Sequence, residues 1–149
     1  MSETDLINLY SQKILRLAAS IPHSERLSAP LGSATRRAPL CGSTVTVDLD
    51  VKDGKIIDFG QDVKACALGQ AAASVVGAHV LGRTRAQVET ARDDLIAMLK
   101  SDGPSPAAPF EELEVLRPAR DFTNRHASIL LSLNATLDAF DVAVAHSQE

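Results

Sequence analysis

Two residues of this chain are best suited to chemistry: its only cysteines, Cys41 and Cys66. A cysteine thiolate is both a strong nucleophile and a soft metal ligand. Cys66 stands where a run of strand character gives way to ACALGQAAAS, a run of small residues suited to a helix. A sulfur at that junction lies near unpaired N–H groups and the positive end of a helix dipole, which favours the thiolate, and Lys64 adds to the same field. Cys41 precedes Gly42, which lets the backbone come close to whatever the sulfurs hold. Together they read as half of a tetrahedral, sulfur-rich site for Zn²⁺ or an iron–sulfur cluster. Their separation of 25 residues matches no short zinc motif. Two small apolar side chains buried in a core is the competing reading of the same pair.

Of the four histidines, His126 is the best third ligand, falling in the first turn of a helix that must return to the core. A buried histidine satisfied by ordinary hydrogen bonds is the alternative. His79 reads as packing, His23 and His146 as surface residues, and Arg36, Arg37 and Arg125 as solvated charges. No phosphate loop, nucleophile elbow or paired-carboxylate motif is present.

The elements that must position the thiols follow from periodicity. From Thr44 the residues alternate: Val45, Val47, Leu49 and Val51 to one side, Thr44, Thr46, Asp48 and Asp50 to the other. That pattern predicts a half-buried strand. Lys52-Asp53-Gly54 is turn chemistry, and Ile57, Phe59 and Val63 resume the alternation on a returning strand. A two-residue Asp53-Gly54 loop pairs Leu49 with Asp58, setting an apolar face against a polar one. A three-residue loop with Gly54 left-handed pairs Leu49 with Ile57 and Val47 with Phe59, which is the expected register. Carried back, it pairs Ser43 with Val63 and Cys41 with Ala65, one residue from Cys66. Opposed Cβ atoms lie roughly 4.5–5.5 Å apart, so the two thiols meet at the open end of the hairpin.

Around this hairpin, Leu6, Leu9, Tyr10, Ile14 and Leu17 predict an amphipathic first helix from Thr4 to Ala19. Residues 22–39 form a proline-containing connection with a short edge strand near Gly32 to Arg36. Gly82 stops the small-residue helix, and Thr84 with Gln87 forms a capping box for the next, whose buried stripe is Val88, Ala91, Leu95, Met98 and Leu99. Phe110, Leu113 and Leu116 suggest a short helix after a Pro-rich loop. Asp121 or Thr123 caps a final helix carrying Ile129, Leu130, Leu133, Leu137 and Phe140, with a fraying tail from Ala143.

At 149 residues the chain is long enough for a real core and reads as one domain. Without tryptophan, and with 3% aromatics, that core must be built from Leu, Val, Ile and Ala. A net charge of −4 gives no support to nucleic-acid or anionic-membrane binding. No apolar run approaches the roughly 20 residues of a membrane span, and no secretory or targeting pattern opens the sequence, so a cytoplasmic protein with reduced thiols is expected.

Specific stretches say more than spacing. RAPLCGS, the hairpin with its Asp-Gly turn, KACALGQAAAS, ARDDLIAML with the following Pro-rich loop, RHASILL and the opening LYSQKILRLA fall in the order of the U-type iron–sulfur cluster assembly scaffolds. The chain resembles this NifU/IscU-like family over most of its length, and is closest to the branch that works with SUF-type systems. The resemblance implies one scaffold domain spanning 1–149 with an α+β fold: a small antiparallel sheet with a central hairpin, packed against four to five α-helices. It implies a site that accepts sulfur from a cysteine desulfurase, combines it with iron and passes the cluster to recipient apo-proteins, or in some members holds zinc. Cys41 and Cys66 match the family's first two cysteines, and His126 matches the histidine of its His-Cys pair. The family's Cys-Gly-Asp is here Cys41-Gly42-Ser43, with Ser43 a weak ligand, and its His-Cys is His126-Ala127. In another alignment His126 takes the cysteine's place.

The expected function is therefore a scaffold or carrier binding iron, a cluster or zinc through Cys41, Cys66 and His126, with Cys66 as persulfide acceptor. Two alternatives stand beside it. One is a sulfurtransferase in which His126 activates Cys66; the other is a paralogue that only binds assembly partners.

Overall fold

The computed structural model describes residues 11–39 and 42–147. In chain order these form α1 (Gln12–Ala19), β1 (Gly32–Arg37), β2 (Thr44–Lys52), β3 (Lys55–Lys64), α2 (Ala67–His79) and α3 (Arg85–Ser101), then 3₁₀ helices over Glu111–Asp121 and Thr123–Arg125, and α4 (His126–Ser147). The strands make one antiparallel sheet in the order β1-β2-β3, giving the α+β architecture expected from sequence. The long α4 packs on β1 and β2 and against α2 and α3, while α1 packs on α2. The expected start of the first helix at Thr4 lies outside the described residues.

The hairpin keeps its predicted face but not its predicted register. Val45, Val47 and Leu49 are buried, as the alternation requires. Lys52 pairs with Lys55, so the loop has two residues, not three, and both are left-handed, with φ of 54° at Asp53 and 75° at Gly54. Such a type I′ turn suits the twist of the strands it joins. The mismatch of faces it would create is removed by a β-bulge one pair further on. The register shifts between Asp50 and Val51, so Leu49 meets Phe59, Val47 meets Gln61 and Val45 meets Val63. Ile56 therefore turns inward while Ile57 is 55% exposed, the reverse of the expectation for Ile57. Parity had to be restored, and an extra residue in β3 restores it as well as a longer loop would.

The outer face of the sheet is covered too. Segment 22–31 crosses it, and Asp48, expected on a polar face, is fully buried there. Its carboxylate accepts from Arg26 Nε (2.6 Å) and Nη2 (3.2 Å), the Leu27 amide (3.1 Å) and Ser33 Oγ (2.6 Å).

The capping box forms as predicted, Thr84 Oγ1 accepting from Gln87 N and Gln87 Oε1 accepting from Thr84 N, and all five residues of the α3 stripe are buried. Thr84→Ala is expected to cost about 1 kcal/mol in chemical denaturation, since it removes the cap from an exposed helix start. The tail is more ordered than expected. Ala143 is fully buried, α4 continues to Ser147, and His146 Nδ1 lies 2.8 Å from the Leu31 carbonyl oxygen. Arg36, expected to be solvated, holds Asp138 of α4 through two bonds. With the turn before it, the stretch Thr123–His146 is long and apolar enough to cross a membrane by length and composition. Of its most apolar window 61% is buried inside the fold, against the sheet and the other helices.

Candidate functional site

The two ends of the site are set by the turn between β1 and β2 and by the junction of β3 with α2. In the turn, the Ala38 amide donates to the Ser43 carbonyl at 2.8 Å and the Gly42 amide to the Ala38 carbonyl at 2.9 Å. Gly42 is left-handed, with φ of 71°, and a Cβ there would meet nothing within 4 Å. Glycine is thus favoured by the backbone angle. Cys41, and with it the expected meeting of the two thiols, lies outside the described residues.

Cys66 is the N-cap of α2, as expected, in extended conformation and with no side-chain capping bond. Its carbonyl accepts the first helical bond from Gln70 N at 2.9 Å, and Gln70 Nε2 ties the preceding Ala65 carbonyl at 2.9 Å. The half-buried sulfur lies 3.5 Å from Ser128 Oγ. Ser128 in turn donates to Ser43 Oγ at 3.0 Å. Ser43 and Cys66 are therefore joined through a residue that the reading of apolar periodicity passed over. The signal for it was present in α4, where Ser128, Ser132 and Thr136 recur at a spacing of four among apolar residues. All three are buried, and Ser132 donates to the buried Gln61 of β3 at 3.1 Å.

His126 opens α4 and is 7% exposed. Its Nε2 lies 3.1 Å from the Ala119 carbonyl oxygen and 3.0 Å from that of Arg120. Both partners only accept, so Nε2 carries a proton and donates to them, leaving Nδ1 as the ring's coordinating nitrogen when neutral. The ring lines a cleft of about 870 Å³ with Leu99, Lys100, Asp102, Arg120 and Leu130. There the Arg117 and Arg120 guanidiniums hold the Asp102 carboxyl below its ordinary range. Among the described residues, no group of three or more His, Cys, Asp or Glu side chains is placed to hold a metal ion. The described part of this corner brings one thiol, Cys66, to two neutral hydroxyls, Ser128 and Ser43.

No family model and no curated protein matches the chain. Solved structures do. The crystal structure of the N-terminal part of a nitrogen-fixing NifU-like protein from Brucella abortus is 40% identical, over 95% of this chain and 98% of that one, with a TM-score of 0.91. A putative iron–sulfur cluster assembly scaffold protein for the SUF system, from thermophilic Fervidobacterium islandicum AW-1, shares the fold at 16% identity. It aligns over 90% of this chain and 98% of its own, with a TM-score of 0.76. A hypothetical protein shares it at 20% identity, covering 91% and 98%, with a TM-score of 0.79. At 40% identity across nearly the whole of both chains, this protein belongs to the NifU-like family, in the form of its N-terminal domain.

Proposed function

We propose that this protein serves iron–sulfur cluster assembly as a scaffold or carrier, taking up sulfur at Cys66 and holding iron or a nascent cluster between Cys66 and Cys41. The observation that carries this reading is membership of the NifU-like family, with Cys66 at a strand-to-helix junction against Ser128 and Ser43. The sulfur source is a cysteine desulfurase and the recipients are apo-proteins. Iron and sulfide are cargo, and the few thiolates leave coordination positions open to incoming sulfide and outgoing acceptor ligands. His126 joins only through Nδ1, because Nε2 is given to two carbonyls; Ser43 is at most a weak oxygen donor. Zinc is the competing metal.

The test is anaerobic purification followed by iron, sulfide and zinc analysis, before and after reconstitution with iron and sulfide. Cys66→Ala is expected to lose the bound metal and to reduce sulfur uptake from a desulfurase to background. Protein that stays metal-free after reconstitution and takes up no sulfur would overturn the reading. A sulfurtransferase that only relays sulfur through Cys66 is the second reading, favoured by the buried Ser128 hydroxyl 3.5 Å from that sulfur. It predicts full sulfur loading with no iron retained.

A further inference from the structure

Ser128 is 1% exposed, yet its hydroxyl is aimed at a thiol that solvent can reach. What brings it there is the lack of a side chain on the first turn of α2. A Cβ on Gly69 would fall 2.7 Å from Ser128 Oγ and 3.0 Å from the Ser128 carbonyl oxygen. Behind it, Ser43 is 4% exposed and accepts from Ser128 at 3.0 Å.

Proton accounting gives this row of three atoms a property that packing alone does not require. A serine hydroxyl has one proton to donate and two lone pairs to accept with. While Cys66 is a thiol, its S–H points to Ser128 and the Ser128 O–H points to Ser43. Once Cys66 bears a second sulfur atom and the persulfide has lost its outer proton to water, no S–H donor remains and the sulfur pair carries a negative charge. The row then runs the other way, Ser43 to Ser128 and Ser128 to the sulfur, by rotation of two hydroxyl protons with every heavy atom in place.

We propose that Ser128, backed by Ser43, is a positioning residue for sulfane sulfur carried on Cys66, through a hydroxyl row whose direction follows the state of that sulfur. The inference rests on the reading of Cys66 as a sulfur acceptor, and the substrate class is a cysteine persulfide. In loading, the Cys66 sulfur attacks the outer sulfur of the donor persulfide. A new S–S bond forms to Cys66 as the donor's S–S bond breaks, and the donor cysteine leaves with the electron pair. The Cys66 proton passes to that leaving thiolate, so one sulfur changes hands and nothing is oxidised overall. Ser128 then donates to the persulfide, holding its outer sulfur over the first turn of α2.

The full-length chain, loaded with inorganic polysulfide, quenched by alkylation and analysed by peptide mass spectrometry, gives the loaded fraction at Cys66 apart from Cys41, and its decay. Ser128→Ala is expected to shorten the persulfide lifetime at Cys66 about tenfold, the factor carried by one hydrogen bond to a charged group, with only a small drop in the thermal midpoint. Ser43→Ala is expected to shorten it less, and to add nothing in the Ser128→Ala background, because Ser43 acts through Ser128. Lifetimes equal to the parent in both single variants overturn the inference, as do losses that add independently. A parent chain that takes up no sulfur at Cys66 overturns the sulfur-acceptor reading itself, which separates the two failures.

Discussion

Asp48→Ala is expected to lower the stability of the fold by about 3 kcal/mol, read as a shift of the urea midpoint without a change of slope. The carboxylate is fully buried on the outer face of the sheet, and four hydrogen bonds converge on it. Arg26 is half-exposed and can return to water, so the loss falls mainly on the Leu27 amide and on Ser33, and on the anchoring of segment 22–31. The same group shapes the acid response. Burial pushes its pKa up, but the bonds from Arg26, Ser33 and the Leu27 amide outweigh burial and hold the carboxyl below its ordinary range. A group depressed in the folded state stabilises fully above its unfolded value, about 3.9, and loses that contribution as pH falls through the folded value. The wild-type chain should therefore destabilise steeply below about pH 4, and Asp48→Asn should show a shallower acid limb from a lower plateau. Asp102 and Glu114, each lowered first by Arg117, act with the same sign but sit in water and add little.

Gly32→Ala is expected to be at least as damaging, about 3 kcal/mol or more. A Cβ there would stand 2.1 Å from the Ala139 carbonyl oxygen and 2.7 Å from the Ala143 amide nitrogen. Both are backbone atoms in the middle of α4, so no side chain can swing aside, and the helix must lift from β1. Arg37→Ala, exposed on the same strand, should change the midpoint by less than about 0.5 kcal/mol. Equal effects from the two substitutions would show that the contact between β1 and α4 is softer than these distances require.

How much of this was legible in the sequence depends on what each element answers to. Periodicity and capping are local, so β2, β3, the α2 junction at Cys66, the Thr84 box and the α3 stripe could be read directly. The register of the hairpin could not, because two devices restore the same parity, a longer loop or a bulge, and only packing around Ile56 and Ile57 chooses between them. Asp48 was placed on a polar face correctly. That the face would be roofed by residues 22–31 depends on contacts distant in sequence. In the candidate site, Cys66, Ser43 and His126 were named from residue type and family pattern. Ser128 was missed because a serine among leucines reads as a gap in a stripe, and its meaning appears only once Gly69 and Ser43 are seen around it. Likewise, the direction of the His126 ring is set by two carbonyls of a 3₁₀ turn that no periodicity announces.

The final helix raises a question of alignment. Its buried hydroxyls fall at 128, 132 and 136 and its buried small residues at 135, 139 and 143, both with the helix's own step of four. A slide by one turn would present Ser132 where Ser128 stands and Ala143 where Ala139 meets Gly32, so residue type alone does not tell one turn from the next. The two histidines can. His126 is fastened to carbonyls at the start of the helix and His146 to the Leu31 carbonyl at its end. They work as index pins at the two ends, beside the Ser132–Gln61 and Arg36–Asp138 bonds that mark the same alignment between them. The hydroxyl that reaches the sulfur of Cys66 is thus chosen from a row of three with the help of latches at the far ends of the rod.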